Sequence, residues 1–512
     1  MKPRLIKYIG LHQLTVLKHT FSRASLDNLP KGRVFRQSRL KPGMKTKYIL
    51  AIALVAILLV SVFAWLSAGT QSDPNIVEPV GNDPIAAPSP TSQQTTTPNQ
   101  TKRPTVNSEM DNMLNKLFTS FQEVLAPTRP PGLVESSLNS NSTLWKAVAT
   151  NAWKYFQPDT GVDPKIGLPK ASLDYPYFTD WDLGVYIQTI IDAQKVGLIN
   201  ATGDWGSTAR IQKVLTFLET RELNNDSYPF WFYQAADGKN YNEASDRATT
   251  NVDAVDTGRL FIALNNLKTF NSSLASRIDN FVYNRFNNRS NYAAIVPDIK
   301  SESIGSTSIY AYYYASGFAS FWPTELSNTP TTILNNILTA GNITDGLYGV
   351  SLPNATISCE PLFCSVFELN NDHSELAALA KQVYLAHEAK YNITEQYVAF
   401  SEGNSKSSFI YEWVVLPNGD TWKITNAGES IYSDVEPIIF TKIALSFLAL
   451  YNTTFARNMA IYLEKAFPDP TWGYYAGADH NSARGANLVL SIDSNTNGMI
   501  LSAARYVIQK DS

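Results

Sequence analysis

Apolar positions fall into two kinds of pattern along the chain. The first is one uncharged run, Tyr48 to Ala68, YILAIALVAILLVSVFAWLSA. At ~1.5 Å per residue a helix of this length spans roughly 31 Å, the thickness of a bilayer core. Tyr48 and Trp65 lie near its ends, where amphipathic rings prefer to sit. The pattern predicts a transmembrane helix over 48–68. A cleaved signal peptide is the rival reading, but it has a shorter apolar run and a shorter leader than the 47 residues found here.

The second kind of pattern recurs from about residue 141 onward, with apolar spacing near 3.6, the helical period. Runs that are apolar nearly all round cover 182–199, 257–270, 308–322, 375–391, 437–451 and 495–508. Between them lie one-sided, more polar runs at 144–156, 209–223, 273–286, 331–341 and 455–467, with a sixth weakly marked near 392–400. All-round apolarity indicates burial and one-sided apolarity an outer layer. The expected fold class is therefore mainly α: an (α/α)6 toroid of six inner and six outer helices, preceded by one transmembrane helix. A helical solenoid is the rival, although no fixed repeat period is visible. One β element interrupts the helices. SSFIYEWVVL and DTWKIT flank Pro417-Asn418-Gly419, a hairpin signal.

Between these regions, residues 69–108 carry seven prolines, many Thr, Ser and Gln, and no aromatic residue. Such a segment cannot bury apolar surface and is expected to be a disordered linker, reaching on the order of 35 Å as a flexible coil. An amphipathic helix is expected over 110–125, broken by Pro127, Pro130 and Pro131. The domain reading is a basic segment 1–47, the span 48–68, the linker 69–108 and a folded domain 109–512.

Charge fixes the topology. Twelve basic residues and one acid, Asp27, precede Tyr48, leaving thirty basic and forty-four acidic residues beyond it. The positive-inside rule holds residues 1–47 in the cytoplasm and places the C-terminal domain outside, at the cell membrane. The basic leader fits topology and anionic lipid rather than nucleic acid. Ten N-x-S/T sequons all follow the span. The two cysteines, Cys359 and Cys364, also follow it, and in an oxidising space could close a small disulfide loop; two free buried thiols are the alternative.

Several stretches resemble an uncharacterised domain family of bacterial and archaeal envelope proteins. They are FTDWDLGVYIQTIIDAQKVGLI, VDTGRLFIALNNL, CEPLF, LAKQVYLAHEAKYN, FSEG, LPNGDTWKITNAGES, TKIALSFLALY, WGYYAG and NTNGMIL, in order over roughly 175–508. The resemblance implies a glucoamylase-like (α/α) toroid and a cell-surface glycan context. Two positions depart from the family: Ser502 stands where an acid is usual, and Ala478-Asp479 where Tyr-Glu is usual.

In such a toroid the pocket lies at one end of the inner barrel. Polar residues recur there: Asp180 and Asp182, Asp253 and Asp256, Asp372 and Glu375, Asp434 and Glu436, Asn495 and Asn497. Glu360, Glu402, Glu429 and Asp479 add loop carboxylates. Glycoside hydrolysis needs two carboxylates across the scissile bond, one protonated and one ionised. The sequence reading assigns Glu360 as general acid and Asp182 as base or nucleophile, with Glu402 and Glu429 next. Trp181, Tyr411, Trp413, Trp422, Trp472, Tyr474 and Tyr475 offer faces for sugar rings, and Asn497 a donor for hydroxyls. An acid at a helix start is also the ordinary cap, which competes with each of these roles.

Other chemistries have less support. His373, His387 and His480 lack the spacing of a zinc motif, and neither a G-x-S-x-G elbow nor a phosphate loop occurs, so no metal or cofactor is expected. A lyase using Tyr186, Tyr310, Arg247 or Arg484 stays open. The YAYYY run at 310–314 reads as a sugar platform or as core. Two functional classes result: a membrane-anchored glycoside hydrolase acting on surface polysaccharide, or a silent module that binds glycan or scaffolds the envelope.

Overall fold

The computed structural model describes residues 132–136, 141–241, 252–288, 291–369, 374–405, 408–426, 435–467, 471–480 and 487–511. The expected span 48–68, the linker and the helix over 110–125 lie outside these residues. No helix among the described residues is long and apolar enough to cross a membrane.

Twelve helices of ten residues or more carry the described fold. The first six are α1 (Asn141–Trp153), α2 (Asp180–Lys195), α3 (Ser207–Thr220), α4 (Ala254–Phe270), α5 (Ala275–Asn288) and α6 (Ile309–Ala319). The second six are α7 (Thr329–Thr339), α8 (Cys359–Glu368), α9 (Ser374–Thr394), α10 (Thr441–Tyr451), α11 (Thr454–Ala466) and α12 (Ser494–Lys510). Each even-numbered helix packs on the next, and α12 returns to α2, which closes an inner ring of six. The odd-numbered helices pack outside it: α1 on α12, α3 on α2, α7 on α6, α9 on α8, α11 on α10, and α5 against α3 and α4.

The alternation read from the sequence holds, with one exchange. The fourth inner helix is α8, and residues 375–391, expected inside, form the outer helix α9. The region near 392–400 supplies no outer helix. The burial pattern explains the error. α9 buries one stripe, Leu376, Leu379, Ala380, Val383, Tyr384, Ala386 and His387, while Ala377 and Ala378 face solvent. Surface alanines made the run look apolar all round. α8 is short and contains Glu360, Pro361 and Ser365, yet all its residues but Val366 are buried.

α8 also corrects the disulfide. Cys359 and Cys364 are both free and buried. Five residues apart in one helix, they are separated by a rise of ~7.5 Å, too far for a bridge. Cys359 Sγ instead lies 3.9 Å from His387 Nε2.

Glycine permits a close helix contact in the ring. A Cβ on Gly317 of α6 would collide with the Gly258 carbonyl of α4, and one on Gly258 would collide with Tyr314. The two backbones therefore touch where neither residue has a side chain.

The β structure is richer than the one expected hairpin. Strands β1 (Tyr177–Phe178) and β2 (Tyr233–Gln234) pair, as do β3 (Asn342–Ile343) and β4 (Leu352–Pro353). The hairpin is real: β5 (Glu402–Asn404), β6 (Phe409–Leu416) and β7 (Asp420–Thr425) form an antiparallel sheet in that order. Asn418 and Gly419 turn it with φ of 78° and 85°, the left-handed region those residues tolerate. β8 (Ile438–Phe440), β9 (Gly477–Asp479) and β10 (Asn487–Val489) form another three-stranded sheet, ordered β10-β9-β8. Strands of two or three residues leave no alternation in sequence, so they were not legible there.

Candidate active site

The inner helices present their N-terminal turns at one end of the ring, and side chains from these turns meet. Capping chemistry fixes several of them. Thr179 and Asp182 form a capping box on α2: Trp181 N donates to Thr179 Oγ1, and Thr179 N to Asp182 Oδ2, both at 3.1 Å. Asp253 accepts from Val255 N and Asp256 N to cap α4, and Asp493 from Thr496 N to cap α12. Asp180 is ion-paired with the buried Arg221.

At the centre of this end lies Glu360, in the first turn of α8 and fully buried. Its Oε2 pairs with Lys442 Nζ of α10 and accepts from Ser401 Oγ at 3.1 Å. Its Oε1 accepts from Asn495 Nδ2 of α12, with Arg259 Nη1 of α4 at 3.8 Å. Both oxygens are thus occupied by cations and donors. Deeper in the ring, Arg259 Nη2 donates to Glu368 Oε1 at 2.8 Å and Tyr313 to Glu368 Oε2 at 2.6 Å.

Glu402 follows Ser401 and opens β5. Its Oε2 accepts from the Tyr310 hydroxyl at 2.6 Å. Tyr411 pairs with it across the β5–β6 register, Trp413 stacks on Tyr411 at 6.0 Å, and Tyr310 meets Trp413 edge-on at 5.9 Å. Burial, then the charge of Glu360, pushes the Glu402 carboxyl up to about 8. This group therefore carries its proton at neutral pH.

A second bank of carboxylates lies at the starts of α2 and α4. Asp256, half-buried at the start of α4, is raised well above the usual range by burial and then by the charges of Asp253, Asp182 and Asp180. Burial lifts Asp182 to about 6, while hydrogen bonds from Ser494 Oγ (2.6 Å) and Thr179 N pull it down. The Tyr411 hydroxyl is raised by burial and then by charges from both banks, Glu402 first and Asp256 and Asp253 after it. Charges of both banks therefore reach the Tyr411 hydroxyl.

The floor offers donors. Trp181, nine-tenths buried, lies under the Arg259 guanidinium at 4.4 Å and edge-on to Tyr313. Its indole Nε1 and Arg259 Nε are buried with no acceptor among the described residues. Buried donors left without acceptors cost about 1–3 kcal/mol each, so such pairs mark places where another oxygen completes the bonding.

The sequence profile of the family described as "Protein of unknown function (DUF3131)" matches residues 147–509. The chain belongs to this family. No curated protein matches it in sequence. Among solved structures, the DUF3131 chain is similar to a proposed glucoamylase from Bacteroides fragilis NCTC 9343, with TM-score 0.52 and 13% identity over 74% of this chain and 93% of that one. It is also similar to a proposed glucoamylase from Bacteroides caccae ATCC 43185, with TM-score 0.51 and 14% identity over 72% and 94%. At this identity the likeness establishes the glucoamylase-like α/α fold.

The DUF3131 domain brings together Asp182, Glu360, Glu402, Trp181, Tyr411 and Trp413 of the residues singled out in sequence. Glu429, Asp372, Asp434, Arg247, Arg484 and His373 lie outside the described residues. Trp472 is more than half exposed, and Tyr475 stacks on Phe467 at 5.1 Å; neither hydrogen-bonds a carboxylate of the cluster among the described residues. Asn497 is not a surface donor. Fully buried, it bonds Tyr474 N (2.7 Å) and Tyr474 O (3.1 Å) and so latches the 473–474 backbone. Trp413 Nε1 donates to Thr425 Oγ1, and Trp422 Nε1 to Gly346 O. Tyr186 is core, held by Arg210. The family departure at Ser502 lies away from the pocket, where Ser502 bonds the buried Asp192. His387 is spoken for on both ring nitrogens: Phe400 N donates to Nε2, so Nδ1 carries the proton that Val383 O accepts.

Arg259, Lys442 and Ser401 were not singled out in sequence, and Tyr313 only as one member of the YAYYY run. Lys442 and Arg259 sit inside runs that read as buried helix, and a cation in such a run was the available signal, since it demands a buried partner.

Proposed function

We propose that this chain is a glycoside hydrolase that acts outside the cytoplasm on a neutral glycan, tethered by the span 48–68. Glu402 is the general acid, and Asp256 is the opposing carboxylate in the state in which its neighbours Asp253 or Asp182 hold the proton that like charges so close together must share. The observation that carries this reading is the Glu402 carboxyl, buried, raised and bonded by Tyr310, with Asp256 near enough for its charge to act on the same Tyr411 that Glu402 acts on. A retained proton is what departure of a glycosidic oxygen requires. Glu360 is fully buried and already bound by Lys442, Ser401 and Asn495, so the acid role passes from it to Glu402. Tyr411 and Trp413 offer ring faces to the sugar. Chemistry follows in the usual order. The Glu402 proton passes to the leaving oxygen as the bond to the anomeric carbon breaks, and Asp256 supports water or the carbon itself on the opposite face.

The acidic composition beyond residue 47 disfavours polyanionic chains. The test is release of reducing ends from a panel of neutral polysaccharides by the full-length protein, followed across pH. Activity should fall on an alkaline limb near pH 8, where Glu402 loses its proton. An alkaline limb absent through pH 9 would remove Glu402 from the acid role.

A second reading is a glycan-binding module without turnover. The observation that favours it is that Asp182, Asp253 and Asp493 all cap helices.

A further inference from the structure

Glu360 and Lys442 form a buried ion pair that does not touch solvent, and the desolvation of such a pair offsets much of its attraction, so it adds little net stability. Its placement is specific. Four elements converge on Glu360: Lys442 from α10, Asn495 from α12, Arg259 from α4, and Ser401, the residue immediately before Glu402. Asn495 in turn accepts from Arg259 Nη1 at 3.3 Å, which ties the cage together. Because Ser401 Oγ donates to Glu360, the pair also fixes the backbone that carries Glu402.

We propose that the Lys442–Glu360 pair is a charge regulator built under Glu402, in which both residues act as positioning residues through it. The inference depends on the hydrolase reading only for its catalytic meaning. Tyr310 from α6 bonds Glu402 and Tyr411 from β6 pairs with it in register, while the charges of Glu360 from α8, Lys442 from α10 and Arg259 from α4 act on it. Among the charges, Glu360 pushes the Glu402 carboxyl up, while Lys442 and Arg259 pull it down. The pair therefore contains one element of each sign, and deleting either should move Glu402 in a different direction.

The experiment is a titration of glutamate side-chain carboxyls by carbon-13 NMR in the full-length protein, with the Glu402 signal assigned by its loss in Glu402→Gln. Wild type should titrate near the value of about 8. Lys442→Met leaves Glu360 uncompensated and should move the midpoint to higher pH by about one unit or more. Glu360→Gln removes the like charge and leaves Lys442 unpaired, so the midpoint should move to lower pH by a similar amount. Lys442→Arg keeps the cation and should restore the wild-type midpoint. Midpoints that do not move, or that move in the same direction, overturn the inference. If Lys442→Met does not fold, the isosteric Glu360→Gln decides alone, and an unmoved midpoint there is sufficient to overturn it. Moved midpoints with no glycan cleaved by wild type would leave this inference standing and remove the hydrolase reading. Turnover with unmoved midpoints would do the reverse.

Discussion

Burial raises the Glu402 carboxyl as it raises Asp256 and Asp182, and for Glu402 the consequence can be followed with pH. A group with a folded-state pKa of about 8 against an ordinary 4.5 holds its proton after the unfolded chain has released it. Below pH 4.5 both states are protonated and the group is neutral in the balance. As pH rises through the window to about 8, the folded state loses stability relative to the unfolded one. Glu402→Gln should therefore match wild type near pH 4 and become the more stable protein as pH climbs to 8, by up to a few kcal/mol. Urea denaturation at a series of pH values measures this. A difference that is flat with pH would show that Glu402 titrates normally. At this scale the sequence was only partly legible. Asp182 and Glu360 stood out beside aromatic and apolar neighbours, and both do lie in the cluster. Their partners could not be read, because Lys442 and Ser401 come from segments far apart in the chain. Whether a buried acid is a cap, a cage or a proton donor depends on such partners.

At the scale of elements, the apolar periodicity located eleven of the twelve long helices, and the Pro-Asn-Gly turn located the hairpin. The exchange of α8 and α9 shows where periodicity fails. Alanine on a solvent face counts as apolar in a pattern, and a ten-residue helix carrying Glu, Pro and Ser shows no pattern at all. Ring closure depends on features finer than periodicity. Gly258 and Gly317 let α4 and α6 touch backbone to backbone, and α4 delivers Asp256 and Arg259 while α6 delivers Tyr310. Gly317→Ala should then destabilise the domain by about 1–3 kcal/mol through overpacking, although alanine is the better helix former. A thermal melt checks it, and an unchanged or raised midpoint would mean that the two helices can separate without cost.

For the whole molecule, the closed ring puts six N-terminal turns at one end and so concentrates polar groups from distant parts of the sequence. A run such as 182–199 reveals its helix in isolation. The site exists only once α2, α4, α6, α8, α10 and α12 are assembled, which explains why the fold was easier to read than the chemistry. The tether belongs to this scale too. If 48–68 anchors the chain, the full-length protein should stay with membranes through alkaline carbonate washing, and the C-terminal domain should be open to protease added outside intact cells. Release by carbonate would contradict an uncleaved span.

The central claim is that Glu402 donates a proton to a departing sugar. Its most direct test is the rate of reducing-end release from a neutral polysaccharide cleaved by wild type, repeated with Glu402→Gln. The account predicts a fall in kcat of about 10²–10⁴-fold with the glycan still bound, since general acid catalysis contributes that much. A variant as fast as wild type would contradict the claim, and a wild type that binds glycan and never cleaves it would leave the binding module as the function.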